Sequence, residues 1–514
     1  PAGGRGAFGV VSPLGKPLTV AGWDRAGFDV EMFHPYPMRS QVLGHLLSLL
    51  AVVGTALVSA QTTAKPPNIL IFIADDHGKG DLGCYGHPSI RTPNLDQLAQ
   101  EGMRLDRAFL TISSCSPSRC SILTGRYPHN TGAEDLHMPL PEQQRSIASY
   151  LTPAGYECVS VGKWHLGGAE KRHWAKVVEC QAEAMAQKCL EVIGTRDRSK
   201  PFFYWFASID PHRGYQKETI ATPHKASEVV IPPYLPDHPN IREELALYYD
   251  EIHRFDTQIG TLRKELESQG VWDDTLVLYL SDNGMPFPRA KTTLYDSGIQ
   301  TPLIARWPGT IPAGTSSNAL ISSVDLVPTF LELAGIKAPT VQGSSFLASL
   351  KDPVAPHRSS VFAEANWHDF EHFSRAVRDD RFKLIRHYYW DTPLWNSVDS
   401  INSITWKGML EAKDQDRLTQ AQARLFEPIR PYEEFYVLSR DPDELTNQID
   451  EPIWQAEIRR LRAELDQWRI DTADRLPDQR RRDGWTRDGI PLPHNQPWYD
   501  RYLEQGGRNS FEKF

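Results

Sequence analysis

Four short, largely apolar runs, each closed by polar residues capable of chemistry, constrain the fold of this chain more than any other feature. Asn68 to Ile73 (Asn-Ile-Leu-Ile-Phe-Ile) stops at Ala74-Asp75-Asp76. Its unbroken apolarity predicts a strand buried on both faces, as in a parallel sheet. Glu157 to Val161 leads in the same way into Gly162-Lys163-Trp164-His165, Pro201 to Phe206 into Asp210-Pro211-His212, and Thr275 to Leu280 into Ser281-Asp282-Asn283-Gly284. Helical segments lie between these runs. Thr92-Pro93 offers an N-cap and an N1 proline for a helix through Leu95, Leu98 and Ala99 that ends near Gly102. Glu244 to Gln269 carries an apolar stripe at Ile252, Phe255, Ile259, Leu262 and Leu266. Alternating strands and helices predict a doubly wound α/β domain over residues 66–350, with Asp325 to Leu333 as a further helix closed by Gly335. Ligands in such sheets bind beyond the carboxyl ends of the strands, so the four polar termini are expected to meet in one place.

A second stretch, Cys115-Ser116-Pro117-Ser118-Arg119-Cys120-Ser121-Ile122-Leu123-Thr124-Gly125-Arg126, supplies a reactive centre. The fixed φ of Pro117 suits the first turn of a helix running on through Ile122 and Leu123, which puts Cys115 at a helix N-terminus. Backbone N–H groups and the positive end of the helix dipole favour an oxyanion there, and Arg119, one turn on, can reach the same anion. A Ser-Ser-Cys-Ser-Pro-Ser loop is too polar a setting for an inert core thiol. Asp75, Asp76, Asp282 and Asn283 supply hard oxygen ligands without His or Cys, a donor set suited to Ca²⁺ or Mg²⁺ and not to zinc. His77, His87 and His129 lack any comparable setting and are read as ordinary surface or core residues.

Beyond an exit at Pro339 to Pro356, the region 356–475 changes character. Ser360 to Glu364, Arg375 to Val377, Arg381 to Tyr389 and Glu434 to Ser439 predict an antiparallel sheet. A helix from Ile453 to Asp474, with Ile458, Leu461, Leu465 and Trp468 in phase, should cover it, giving a smaller α+β domain. Residues 476–514 have no period and are read as an extended tail. Net charge over the 514 residues is −9, with the two signs interspersed, which argues against a nucleic-acid surface or a polybasic membrane patch. Of the six cysteines, five remain once Cys115 is set aside, so at most two disulfides could form. Cys180 and Cys189 lie about 13 Å apart along a helical pattern, too far to bridge each other. Near the start, Met38-Arg39, the apolar stretch Val42 to Val58, and Val58-Ser59-Ala60 before Gln61 predict a signal peptide over 38–60, cleaved near Ala60, and an exported protein. Residues 1–37, ahead of that methionine, are read as an upstream translation artefact.

The pattern C-x-P-x-R, followed in register by Thr124-Gly125-Arg126, resembles the signature of the type I sulfatases, whose motif cysteine a maturation enzyme converts to formylglycine (3-oxoalanine). The resemblance implies an alkaline-phosphatase-like mixed sheet with a smaller C-terminal domain. It also implies a Ca²⁺, with Mg²⁺ as the alternative, bound by Asp75, Asp76, Asp282, Asn283 and the modified Cys115. Residue by residue, Lys163 and His165 in Gly-Lys-Trp-His-Leu-Gly, His212 in Asp-Pro-His, and Lys291 after Asp282 match the family's cations, acids and bases. By that resemblance the hydrated formylglycine attacks sulfur while Arg119, Lys163 and Lys291 hold sulfate oxygens. His212 with Lys291 protonates the leaving group, and His165 takes the proton from the remaining hydroxyl so that the aldehyde reforms. A gem-diol can expel sulfate by elimination, which a serine or cysteine ester cannot do.

Within the family, Ser281 to Pro288 with Lys291, Leu294 and Tyr295, and Asp210-Pro211-His212-Arg213, look closest to the N-sulfatases of heparan sulfate. The chain departs from them in a short segment between Gly168 and Lys200, and in Lys291, where they often carry Arg. The resemblance implies a sulfated saccharide as substrate, with the N-sulfate of a terminal glucosamine first, and sets His368, Asp369 and Arg375 at substrate-pocket positions. Trp367, in the polar and aromatic loop Glu364 to Phe370, suits sugar stacking and core packing equally. Three alternatives stay open: an O-sulfatase acting on a polysaccharide, a formylglycine-dependent phosphonate or phosphodiester hydrolase, and a glycan-binding protein with unmodified Cys115. A homo-oligomer is compatible with each.

Overall fold

All four apolar runs are strands of one eight-stranded sheet. A computed structural model describes residues 66–337, 341–481, 483–486 and 489–491; the expected signal peptide, residues 1–37, Pro339 and the tail from 492 lie outside them. In chain order the strands are β1 (Asn68–Ala74), β2 (Met103–Leu105), β3 (Glu157–Gly162), β4 (Lys176–Val178), β5 (Phe202–Ala207), β6 (Thr275–Ser281), β7 (Leu303–Arg306) and β8 (Thr315–Ser317). They lie in the order β8-β2-β7-β6-β1-β5-β3-β4. Only β7 runs against its neighbours, so the sheet is mixed, as expected.

The period of two along each strand divides the core between two faces. Ile69, Ile71 and Ile73 share one face with Phe203, Trp205 and Leu278, under α2 (Cys115–Thr124) and α5 (Leu326–Leu333). Leu70 and Phe72 share the other with Tyr204, Phe206 and Tyr279, under α1 (Pro93–Glu101), α3 (Ala182–Thr195) and α4 (Pro239–Ser268). Helix α4 begins ahead of the expected Glu244, because Pro239 occupies N1 and the His238 side chain caps it by accepting the Asn240 N–H.

The C-terminal region forms the antiparallel meander β9 (Val361–Trp367), β10 (Glu371–Arg378), β11 (Phe382–His387) and β12 (Glu433–Val437). Helix α6 (Gln455–Asp471) covers one face through Ile458, Leu461, Leu465 and Trp468. The other face packs on Phe109, Leu294, Tyr295, Ile299 and Leu320 of the α/β region, so the two sheets share a core. All six cysteines are free. No helix of the described residues is long and apolar enough to cross a membrane.

Register is what positions the site. Ala74 pairs with Ser281, Ile73 with Ala207, and Ala207 with Gly162, so β1, β6, β5 and β3 all end in one row. The residues that follow, Asp75, Asp282, Ser208 and Lys163, therefore leave the sheet side by side. Gly162 is required at the end of β3: its φ is +96°, and a Cβ would lie 1.9 Å from the Ala207 carbonyl oxygen. Gly162→Ala is expected to cost about 2–4 kcal/mol, read as a lower Tm, and to impair turnover through the displaced Lys163 and His165.

Candidate active site

Helix α2 presents Cys115 as its first residue, after Ser114 in extended conformation at the N-cap. The helix is buried along its whole length, and Gly125 in left-handed conformation closes it. The Cys115 thiol meets the row of strand ends: its Sγ lies 3.4 Å from Asn283 Nδ2 and 4.0 Å from Asp76 Oδ1. Burial pushes the thiol well above its ordinary pKa, so an unmodified Cys115 stays protonated and is a poor nucleophile.

Around it stand three fully buried carboxylates, Asp75, Asp76 and Asp282. Asn283 Nδ2 joins two of them, donating to Asp76 Oδ1 at 2.9 Å and Asp282 Oδ1 at 3.0 Å. Burial, partly opposed by Arg119 and reinforced by Asp75, pushes the Asp282 carboxyl up to about 7. Asp75 is buried too, yet Lys163, His212 and Arg119 hold it well below the usual carboxylate range. Oxygen atoms remain unspent: Asp75 Oδ1 and Asn283 Oδ1 are buried and accept no hydrogen bond. Oδ atoms of Asp75 and Asp282 and the Cys115 Sγ lie within 4.8 Å of one another. Buried oxygens that repel each other and lack donors fit a hard divalent cation, which would satisfy both faults at once.

Five cationic or basic side chains surround this cluster. Arg119 is fully buried, donates from Nε to Asp282 Oδ2 at 2.7 Å and from Nη1 to the Lys163 carbonyl, and leaves Nη2 without a hydrogen-bond partner. The Lys163 ammonium binds Asp75 Oδ2, and Lys291 Nζ binds Asp76 Oδ2 at 2.7 Å. His165 is half-buried, with Nε2 2.7 Å from His137 Nδ1 and its own Nδ1 sealed and without a hydrogen-bond partner. Burial, then His137 and Lys163, drive its pKa well below 6.5, so the ring is neutral and able to accept a proton. His212 stands 3.8 Å from Asp76 Oδ2, in a loop that Asp210 anchors to Arg254 of α4.

Sequence reasoning passed over three neighbours of these residues. Ser114 Oγ bonds His368 Nδ1 at 2.8 Å, which brings the C-terminal sheet to the N-terminus of α2. His137 partners His165. Asp399, on the turn Val398–Ile401, reaches Lys291 Nζ at 3.1 Å. A lone Asp in an aperiodic loop carries no signal that would single it out. His77, His87 and His129 bond Tyr279, Tyr249 and Glu364.

A family model described as "Sulfatase" matches residues 67–178 and 169–336, and one described as "N-sulphoglucosamine sulphohydrolase, C-terminal" matches 289–430. The chain belongs to the sulfatase family. An ulvan-active sulfatase of Formosa agariphila is 31% identical over 78% of this chain and 74% of its own length. The human N-sulphoglucosamine sulphohydrolase is 30% identical over 81% of this chain and 93% of its own. In fold, a protein solved with its substrate D-glucosamine-2-N,6-O-disulfate superposes with a TM-score of 0.64 at 22% identity, over 81% of this chain and all of that one. The architecture is that of the alkaline-phosphatase-like sulfatases, and the chain is a hydrolase of sulfate groups.

Of the substrate positions expected in this sulfatase, His368 bonds Ser114 beside Cys115 and Asp369 accepts the Val398 N–H of the Asp399 turn, whereas Arg375 is engaged elsewhere. Arg375 is 1% exposed and spends its guanidinium on Asp474, with Nε and Nη2 each 2.8 Å from a carboxylate oxygen. It ties β10 to the segment after α6. Trp367, 2% exposed, fills the core beside Cys115 and Leu136, with Trp485 of the tail packed on it. Arg375→Ala strands a buried carboxylate and is expected to lower stability by about 3–5 kcal/mol with KM unchanged in the folded enzyme; a raised KM at unaltered Tm would return Arg375 to the pocket.

Proposed function

We propose that this sulfatase acts after export, with Cys115 converted to formylglycine by a maturation enzyme and Ca²⁺ or Mg²⁺ bound by Asp75, Asp76, Asp282, Asn283 and the modified residue, and that it removes the N-sulfate of a terminal glucosamine. When present, the hydrated aldehyde supplies the oxygen nucleophile and the cation offsets sulfate charge. The chain's own residues do the rest. Arg119, through its unpartnered Nη2, and Lys163 and Lys291 hold sulfate oxygens, each already oriented by a carboxylate. His212 sits on the more open side, where a saccharide leaves, and delivers the proton. His165, half-buried and neutral, receives the proton on the opposite step.

What carries the substrate reading is the match of residues 289–430 to the C-terminal model of N-sulphoglucosamine sulphohydrolase, a stretch that includes Lys291, His368 and Asp369. A second reading, an O-sulfatase of a polysaccharide, is supported by the similar identity to the ulvan-active relative. Sulfate release from N-sulfoglucosamine and from glucosamine 6-O-sulfate, measured separately, divides the two. The proposal expects turnover of the first; turnover of the O-sulfate alone overturns it and leaves a sulfatase. Chelation should abolish activity and Ca²⁺ restore it, while Asp282→Ala should lower kcat by about a hundredfold or more. Restoration by zinc alone would contradict the oxygen-ligand reading.

A further inference from the structure

Asp399 is the one feature of the site that sulfate binding does not account for. Its carboxylate lies 3.1 Å from Lys291 Nζ and 3.6 Å from His212 Nε2, and its side chain is 32% exposed where Asp75, Asp76 and Asp282 are sealed. Oδ2 makes both contacts; Oδ1 makes no hydrogen bond among the described residues. A negative group beside Lys291 weakens that lysine's hold on an anion, so for sulfate alone the placement is adverse.

The carboxylate is also held there by dedicated contacts. Asp369 Oδ2 accepts the Val398 N–H at 2.6 Å, Ser397 caps the turn, and Asn396 Oδ1 accepts the Arg289 N–H in the loop leading to Lys291. The turn is thus fastened both to Asp369 and to the Lys291 loop. Other titratable groups facing Asp399 are His137, His368 and Asp369, the last with Oδ2 already accepting the Val398 N–H.

Resting on the N-sulfate reading, we infer that Asp399 recognises the ammonium of the glucosamine product. Hydrolysis of a sulfamate breaks the S–N bond and forms an S–O bond: R–NH–SO₃⁻ plus water gives R–NH₃⁺ plus SO₄²⁻. A cation thereby arises on the leaving-group side, next to His212 and amid Lys291, Lys163 and Arg119. An O-sulfate leaves a neutral hydroxyl and has no such need. Asp399 is a partly exposed carboxylate on that side, and it offers the new ammonium a charge-assisted hydrogen bond through Oδ1. The carboxylate that is adverse for sulfate becomes the counter-charge for the product.

Calorimetric titration of the full-length, metal-loaded protein with glucosamine, and separately with inorganic sulfate, tests this for the native chain, Asp399→Asn and Asp399→Glu. Asp399→Asn is expected to lose glucosamine affinity by about tenfold or more, Asp399→Glu to keep most of it, and sulfate affinity to hold or rise in both. Equal loss for both ligands would make Asp399 a prop for Lys291 and His212 and overturn the inference. So would a native chain that does not bind glucosamine, or an Asp399→Asn variant that binds it as well as the native chain. The N-sulfate reading falls on a different result, the absence of sulfate release from N-sulfoglucosamine.

Discussion

Mutual repulsion among three buried carboxylates is the constraint to which the rest of the site answers. Asp75, Asp76 and Asp282 are forced together by strand register, since Ala74 and Ser281 pair directly and the next residues have nowhere to diverge. Isolated buried charges of this kind cost several kcal/mol each unless paired. Lys163, Arg119 and Lys291 each bind one of them, and the unspent oxygens of Asp75 and Asn283 leave room for a cation. The same cations that stabilise the carboxylates in the fold are the ones able to hold a sulfate. Stability and function therefore draw on one set of contacts, and removal of any member exposes the others to an uncompensated neighbour.

The reactive residue is fixed by different means. Helix α2 is buried on all sides, wedged between the large sheet and α5, and its N-terminal Cys115 is held against the carboxylates by packing. The C-terminal sheet closes the pocket from the other side, through the His368–Ser114 hydrogen bond and the Asp399 turn. On the proposed reading, substrate choice rests on residues that come late in the chain, whereas sulfate binding rests mainly on helix α2 and the strand ends that come earlier. Such a division would let one catalytic framework serve different saccharides.

Much of this was legible in the sequence because it obeys local rules. Largely apolar runs marked β1, β3, β5 and β6, and the strand register brings the polar residues at their ends side by side. What the sequence hid is tertiary. Strand β7 has only four residues and its reversed direction depends on pairing with β2 and β6, which no local pattern encodes. Asp399 reaches Lys291 across 108 residues of chain, from a loop without period. Arg375 matched a pocket position by resemblance, yet Asp474, beyond α6, captures it. The tail, read as extended, sends Trp485 onto Trp367, next to Cys115.

Everything proposed for the chemistry depends on what occupies position 115, because burial leaves the unmodified thiol protonated and inert. The tryptic peptide Ala108 to Arg119 from protein made in its native host reports this directly by mass. The account predicts an aldehyde, or its hydrate, in place of the thiol in the active enzyme, and Cys115→Ala protein that is folded and inactive. An intact thiol in fully active enzyme would contradict it.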